Sequence, residues 1–183
     1  MGQKSETSGL SPAAEEIFRK ARIYYFERRY EDALREAQRL LSFDDAGARA
    51  YSIRALCLIE LGMAVEGLAA AEAAVGADRE DPVAYSIRAY CRHRLKDNAG
   101  AEEDFRRALE LGPDNYRTYY NFACYWAQRG EEGLCRENLG RAVALVPPGT
   151  AIYLGGEADF ARYKTAEWFR ELLLAAKGKE LKA

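Results

Sequence analysis

Ala50-Tyr51-Ser52-Ile53-Arg54-Ala55 returns unchanged as Ala84-Tyr85-Ser86-Ile87-Arg88-Ala89, 34 residues further on. A period of that length belongs to arrays of stacked helix pairs, in which each unit hides its apolar face only against its neighbours. Extending the offset both ways divides the chain into blocks 14–47, 48–81, 82–115 and 116–149. Their columns agree. The eighth position is Ala21, Ala55, Ala89 and Ala123, and the twentieth is Ala33, Gly67, Ala101 and Cys135. Small residues there let two helix backbones approach closely. The fourth position is large: Ile17, Tyr51, Tyr85 and Tyr119. The twenty-fourth is Ala37, Ala71, Phe105 and Leu139.

Inside each block the apolar residues recur with helical period, not strand alternation. Ile53, Leu56 and Leu61 mark one helix, and Leu68, Ala71 and Val75 the next. Turn signals separate them: Leu61-Gly62-Met63, Lys96-Asp97-Asn98 and Arg129-Gly130-Glu131. Pro113 and Pro147 close second helices, because the residue before proline avoids helical geometry. The expectation is an all-α chain: a flexible tail over 1–11, four repeats within 12–149, a capping segment over 150–176 and a frayed end over 177–183. Ser11 and Pro12 suit the start of the first helix, and Thr165 the cap of the last. Trp168 and Phe169 are expected to cover the last apolar face of the array.

The third block carries Tyr85, Ala89, Ala101, Phe105 and Pro113, and the fourth Tyr119, Phe122, Ala123, Tyr125 and Pro147. With these residues the chain resembles the tetratricopeptide-repeat (TPR) family. Departures are Lys20 in the leucine column, Asp45 in the proline column and Arg92 in the second aromatic column. The resemblance implies a right-handed superhelical α-solenoid of antiparallel helix pairs. It also implies a concave face lined by the first helix of each repeat, and a role as a protein-protein interaction adaptor without cofactors.

On a first helix, columns two, five, nine and twelve share one stripe, flanked by six and thirteen. The candidate peptide-binding residues are Phe18, Arg19, Arg22 and Tyr25 in block one, and Arg49, Ser52 and Leu56 in block two. Block three adds Val83, Ser86, Tyr90, His93 and Arg94, and block four Arg117, Tyr120 and Asn121. Arginines interleaved with aromatics suit an extended or helical segment bearing acidic residues or a free C-terminus. The plain alternative is an ordinary solvated face. The family's chaperone-tail clamp needs Lys and Asn four apart, then an Asn, then Lys and Arg four apart. Counted from block one those places hold Phe18, Arg22, Ile53, Val83 and Ile87. Counted from block two they hold Ser52, Leu56, Ile87, Arg117 and Asn121, so that mode is not expected.

Composition narrows the classes further. A net charge of −2 and a pI near 5.7 argue against nucleic acid or a membrane surface as partner. The first ten residues lack the apolar core of a secretory leader, and no long apolar run suggests a membrane span. Cys57, Cys91, Cys124 and Cys135 show no C-x-x-C spacing and read as buried small hydrophobes in a cytoplasmic protein. The lone histidine, His93, reads as a surface or groove residue. Neither a nucleophile elbow nor a phosphate loop occurs, and no set of metal ligands stands out, so no enzyme is expected. Arg88 is expected to pair with Asp104, and Arg54 with Glu36 or Glu72. The competing roles are a self-associating scaffold, through the cap or the Ala69–Ala74 face, and a secretion-type chaperone.

Overall fold

The computed structural model describes residues 9–146 and 158–180. Most of the expected tail, the helix-ending Pro147 and the start of the expected cap at 150–157 lie outside the described residues. Four helix pairs follow one another: α1 (Pro12–Phe26) with α2 (Tyr30–Leu40), α3 (Gly47–Glu60) with α4 (Ala64–Ala77), α5 (Pro82–Arg94) with α6 (Asn98–Leu111), and α7 (Tyr116–Arg129) with α8 (Glu132–Leu145). A short 3-10 helix, Ala158–Tyr163, and α9 (Glu167–Glu180) complete the chain. Among the described residues there is no strand.

Local chemistry sets the helix ends. Pro12 and Pro82 occupy first-turn positions, where no backbone N–H is needed. Asp81, Asp97 and Asn115 accept hydrogen bonds from the first turns of α5, α6 and α7. Gly130, at φ 80°, ends α7 in the left-handed conformation. Ser11 precedes α1, but its hydroxyl makes no capping bond; its backbone N–H instead donates to Asp45 at 2.8 Å. Asp45, out of place in a proline column, thus ties the second loop to the start of α1. Thr165 lies in the turn before α9, with Ala166 rather than Thr165 directly preceding the helix, and α9 runs on to Glu180, past residue 176.

The small columns sit where the helices cross. Ala21, Ala33, Ala55, Ala89, Ala101 and Ala123 are all fully buried. At Gly67 a methyl group would meet Ile59 Cγ1 at 2.9 Å and the Ala55 carbonyl oxygen at 3.3 Å, so α3 and α4 touch nearly backbone to backbone. Asp104, 2% exposed, receives Arg88 at 2.6 Å and Arg92 at 3.0 Å. That explains the departure at Arg92: a guanidinium shares a buried carboxylate where the family pattern places an aromatic ring. Arg54 differs from expectation. It is exposed and makes no ion pair among the described residues, and Glu36 pairs with Arg39 instead.

All four cysteines are free and buried. Burial pushes the thiols of Cys57, Cys91 and Cys135 up to about 12, so they pack as hydrophobes.

Each first helix packs on the next: α1 on α3, α3 on α5, and α5 on α7. The second helices make no comparable contact with one another. Helices that touch lie inside a bend and helices that splay lie outside it. The array is therefore concave along α1, α3, α5 and α7.

Candidate peptide groove

The floor of the concavity runs along column five: Phe18, Ser52, Ser86, Tyr120. Two rings stand at its ends and two serines between them. Ser52 is 5% exposed and Ser86 2%. The Ser86 hydroxyl accepts from Asn121 Nδ2 at 3.1 Å, whereas the Ser52 hydroxyl is buried with no hydrogen-bond partner. The difference comes from one residue. Column five of a repeat faces column six of the next. Ser86 meets Asn121 in this way, and the column-six residue after Ser52 is Ile87, whose side chain has no polar atom.

At the first repeat, the guanidinium carbons of Arg22 and Arg49 lie 5.8 and 5.5 Å from the centre of the Phe18 ring. Cations over a ring face are favourable. Arg49 also has Glu15 at 3.7 Å. Burial, and then the Arg117 guanidinium, push the Arg22 pKa below its ordinary value. Arg117 lies 5.0 Å from the Tyr116 ring centre.

The opposite edge of the groove is already satisfied. The Tyr90 hydroxyl donates to Glu60 at 3.1 Å and accepts from Arg94 at 3.0 Å. Burial disfavours the charge on Arg94, but Tyr90, Glu60 and Asp159 together keep its pKa raised. Burial, reinforced by Glu60, raises the Tyr25 and Tyr90 pKa values as well. Arg94 is therefore a structural cation rather than a free one.

Two more expected site residues are placed differently. Arg19 is exposed and pairs with Glu16 at 2.7 Å, on the flank of α1. His93, expected at the surface or in the groove, is 6% exposed. Its Nδ1 lies 3.0 Å from Asn98 Oδ1 and its Nε2 2.7 Å from Gln128 Oε1, and Gln128 in turn donates to Asp159 at 2.8 Å. Leu56, Val83 and Tyr120 are partly buried along the stripe. Tyr116 and Asp159 join the groove and its margins without having been singled out, whereas Glu60 and Gln128 stand in column thirteen of the second and fourth repeats, which flanks the expected stripe. An offset of 35 residues couples His93 to Gln128 and Ser86 to Asn121. Nothing periodic points to Asp159, which belongs to the 3-10 helix.

The groove offers hydrogen-bond donors, positive charge and ring faces. Among the described residues no group of three His, Cys, Asp or Glu side chains could hold a metal ion. No helix of the described residues is long and apolar enough to cross a membrane.

Known proteins agree on the fold. A thermophilic TPR protein of Thermus thermophilus superposes with a TM-score of 0.68 at 18% identity, covering 93% of this chain and 91% of that one. The complex of PcrH with the chaperone binding region of PopB gives 0.50 at 26% identity, over 75% of this chain and 98% of the other; PcrH is from Pseudomonas aeruginosa. In sequence, Hsp70-Hsp90 organizing protein 2 of Arabidopsis thaliana is 31% identical over 96 residues, 52% of this chain but 17% of that protein. The chain thus spans about a sixth of the length of the curated relatives it matches. No protein-family model matches it. The chain has the fold of tetratricopeptide-repeat domains, an α-solenoid of antiparallel helix pairs.

Proposed function

We propose that this protein is a non-enzymatic adaptor that holds an extended or helical segment of another polypeptide in its concave groove, with acidic residues of that segment on the groove arginines. The observation that carries the reading is the floor itself: the Phe18 ring with the Arg22 and Arg49 guanidinium groups beside it, and a buried Ser52 hydroxyl without a partner in the same column of the next repeat. A closed, self-satisfied surface would not leave a donor idle there. The structure of PcrH with a PopB segment supports a chaperone-like holding role by likeness. The cytosol is the proposed setting, since four buried free thiols suit a reducing compartment.

Selection from a random peptide display library tests this. Enriched peptides should bind the parent protein and fail to bind Ser52→Trp, whose ring fills the floor while circular dichroism stays helical. Peptides that bind both proteins equally would overturn the groove.

Self-association is the second reading. Ala70, Ala71 and Ala74 are buried inside the array, so the alanine run of α4 is largely not offered to a second copy. What favours the reading is Phe26, 67% exposed, and Val65, 69% exposed, near the turns of the first two repeats. Light scattering over a concentration series should give a constant monomer mass if the adaptor reading holds alone.

A further inference from the structure

Between α6 and α8, on the outer side of the array, lies a cleft of about 390 Å³. It opens because α6 meets α7 less closely than α2 meets α3 or α4 meets α5. Its floor is apolar: Leu109, Phe122, Trp126 and Leu134. Leu134 is 40% exposed, and its column holds Asp32, Glu66 and Gly100 in the other repeats. Trp126 keeps a buried indole N–H without an acceptor. An apolar side chain set outward where the other repeats carry a carboxylate or no side chain marks a surface to be covered. The rim is ordered by charge. α6 contributes Glu102 and Arg106, and α8 contributes Glu137 and Arg141 at the same places one repeat on. As second helices of successive repeats, α6 and α8 run the same way. Both walls are therefore acidic near the helix starts and basic one turn further on. Glu102 and Arg106 pair along α6 at 2.5 Å, but Arg106 is 71% exposed, so the pair exchanges readily for a partner's charges.

The same chain carries a matching ridge. One face of α9 is buried against the array through Trp168, Phe169 and Ala176. On the exposed side Glu171, Leu174 and Lys177 follow at intervals of three, as neighbours on a helix surface. Leu174, 71% exposed, is the most exposed large apolar side chain among the described residues. At the usual helical rise, the acid and base of this ridge stand about 9 Å apart along the axis and those of each wall about 6 Å, a difference that such long side chains absorb. We propose that this face of α9 from a second copy lies in the cleft, antiparallel to α6 and α8. Leu174 then covers Leu134 and the Phe122 and Trp126 rings, Glu171 lies toward Arg106 and Arg141, and Lys177 toward Glu102 and Glu137. Two copies that exchange α9 about a two-fold axis fill both clefts at once, so assembly stops at a dimer. This rests on the self-association reading and not on the peptide groove, which lies on the other side of the array.

Sedimentation velocity on the full chain over a concentration series tests this. The parent should pass from monomer to dimer. Leu134→Glu and Leu174→Glu change exposed side chains, so circular dichroism should stay helical. Each should raise the dissociation constant about a hundredfold, because either substitution removes two leucine contacts from a dimer. Mixed together, the two variants should form a heterodimer weaker than the parent dimer. The α9 of Leu134→Glu then meets the intact cleft of Leu174→Glu. Lys177→Glu should weaken the dimer about fivefold, and Glu137→Lys in the same chain should restore it. A parent that stays monomeric at every concentration overturns the proposal together with the self-association reading. A dimer that persists in both leucine variants and is lost in Phe26→Glu overturns the proposal alone and moves the contact to the first repeat. A mixture no more associated than its two components also overturns it.

Discussion

The two halves of the array are packed from different materials. Around α1 to α4 the core is divided into small clusters built on alanine, among them Ala21, Ala33 and Ala37 with Ile53 and Cys57, and Ala55, Ala70 and Ala71 with Leu58 and Ile59. From α6 onward one continuous cluster runs through Phe105, Phe122, Tyr125 and Trp126 to Phe160, Trp168 and Phe169. Phe105 and Phe122 stack with ring centres 4.7 Å apart. Phe105 occupies a column that holds alanine in the first two repeats, and α6 meets α7 less closely than α2 meets α3. Small side chains gain cohesion from close backbones. Large rings accept wider spacing and bury more apolar area per residue. The aromatic half should therefore be the last to unfold, and the alanine half the first to open.

Phe105→Ala attacks that difference most directly. It should cost about 4 kcal/mol, the usual loss for a buried ring, because the backbones of α6 and α7 stand too far apart to close the cavity. Urea titration reads it, and a loss below about 1 kcal/mol would mean the junction collapses easily. The opposite change, Ala71→Leu, should cost about 2 kcal/mol by overpacking a site with no exposed surface. A stabilised Ala71→Leu would show that the alanine half has slack.

Thiol chemistry gives the gentlest test. Pulsed alkylation with peptide mapping should modify Cys57 in α3 before Cys135 in α8. The sign with pH is fixed. Burial holds the folded thiols of Cys57, Cys91 and Cys135 at about 12, above their ordinary 9.0. Stability from this source is full below the ordinary value and declines as pH climbs toward about 12, because the unfolded chain ionises first. Simultaneous labelling of both cysteines at every denaturant concentration would make the array one cooperative unit.

Much of the fold was legible because a repeat states its packing four times over. Alanine in column eight and glycine or alanine in column twenty can mean only close helices. The pairing of Arg88 with Asp104 was legible for the same reason, one helix pair being a local structure. The site was less so. A stripe places residues on a face but does not say which neighbours claim them. Arg94 is taken by Tyr90, Arg19 by Glu16, and His93 by Asn98 and Gln128. The first two are neighbours on one helix and Asn98 opens the helix that follows, while the claim of Gln128 depends on the one-residue lateral offset between repeats and on Asp159 in a segment outside the repeat. Arg54 failed in the other direction: a column that holds a paired cation in one repeat holds a solvated one in another.

The hydrogen-bonded line from Asn98 through His93 and Gln128 to Asp159, with Trp168 Nε1 donating to Glu132 at 2.8 Å, bolts the C-terminal segment to the third and fourth repeats. Under tension the molecule would behave as a spring of unequal stiffness. A pull on α9 is borne by that rigid block and travels to the first two repeats, which stretch before anything at the loaded end gives way.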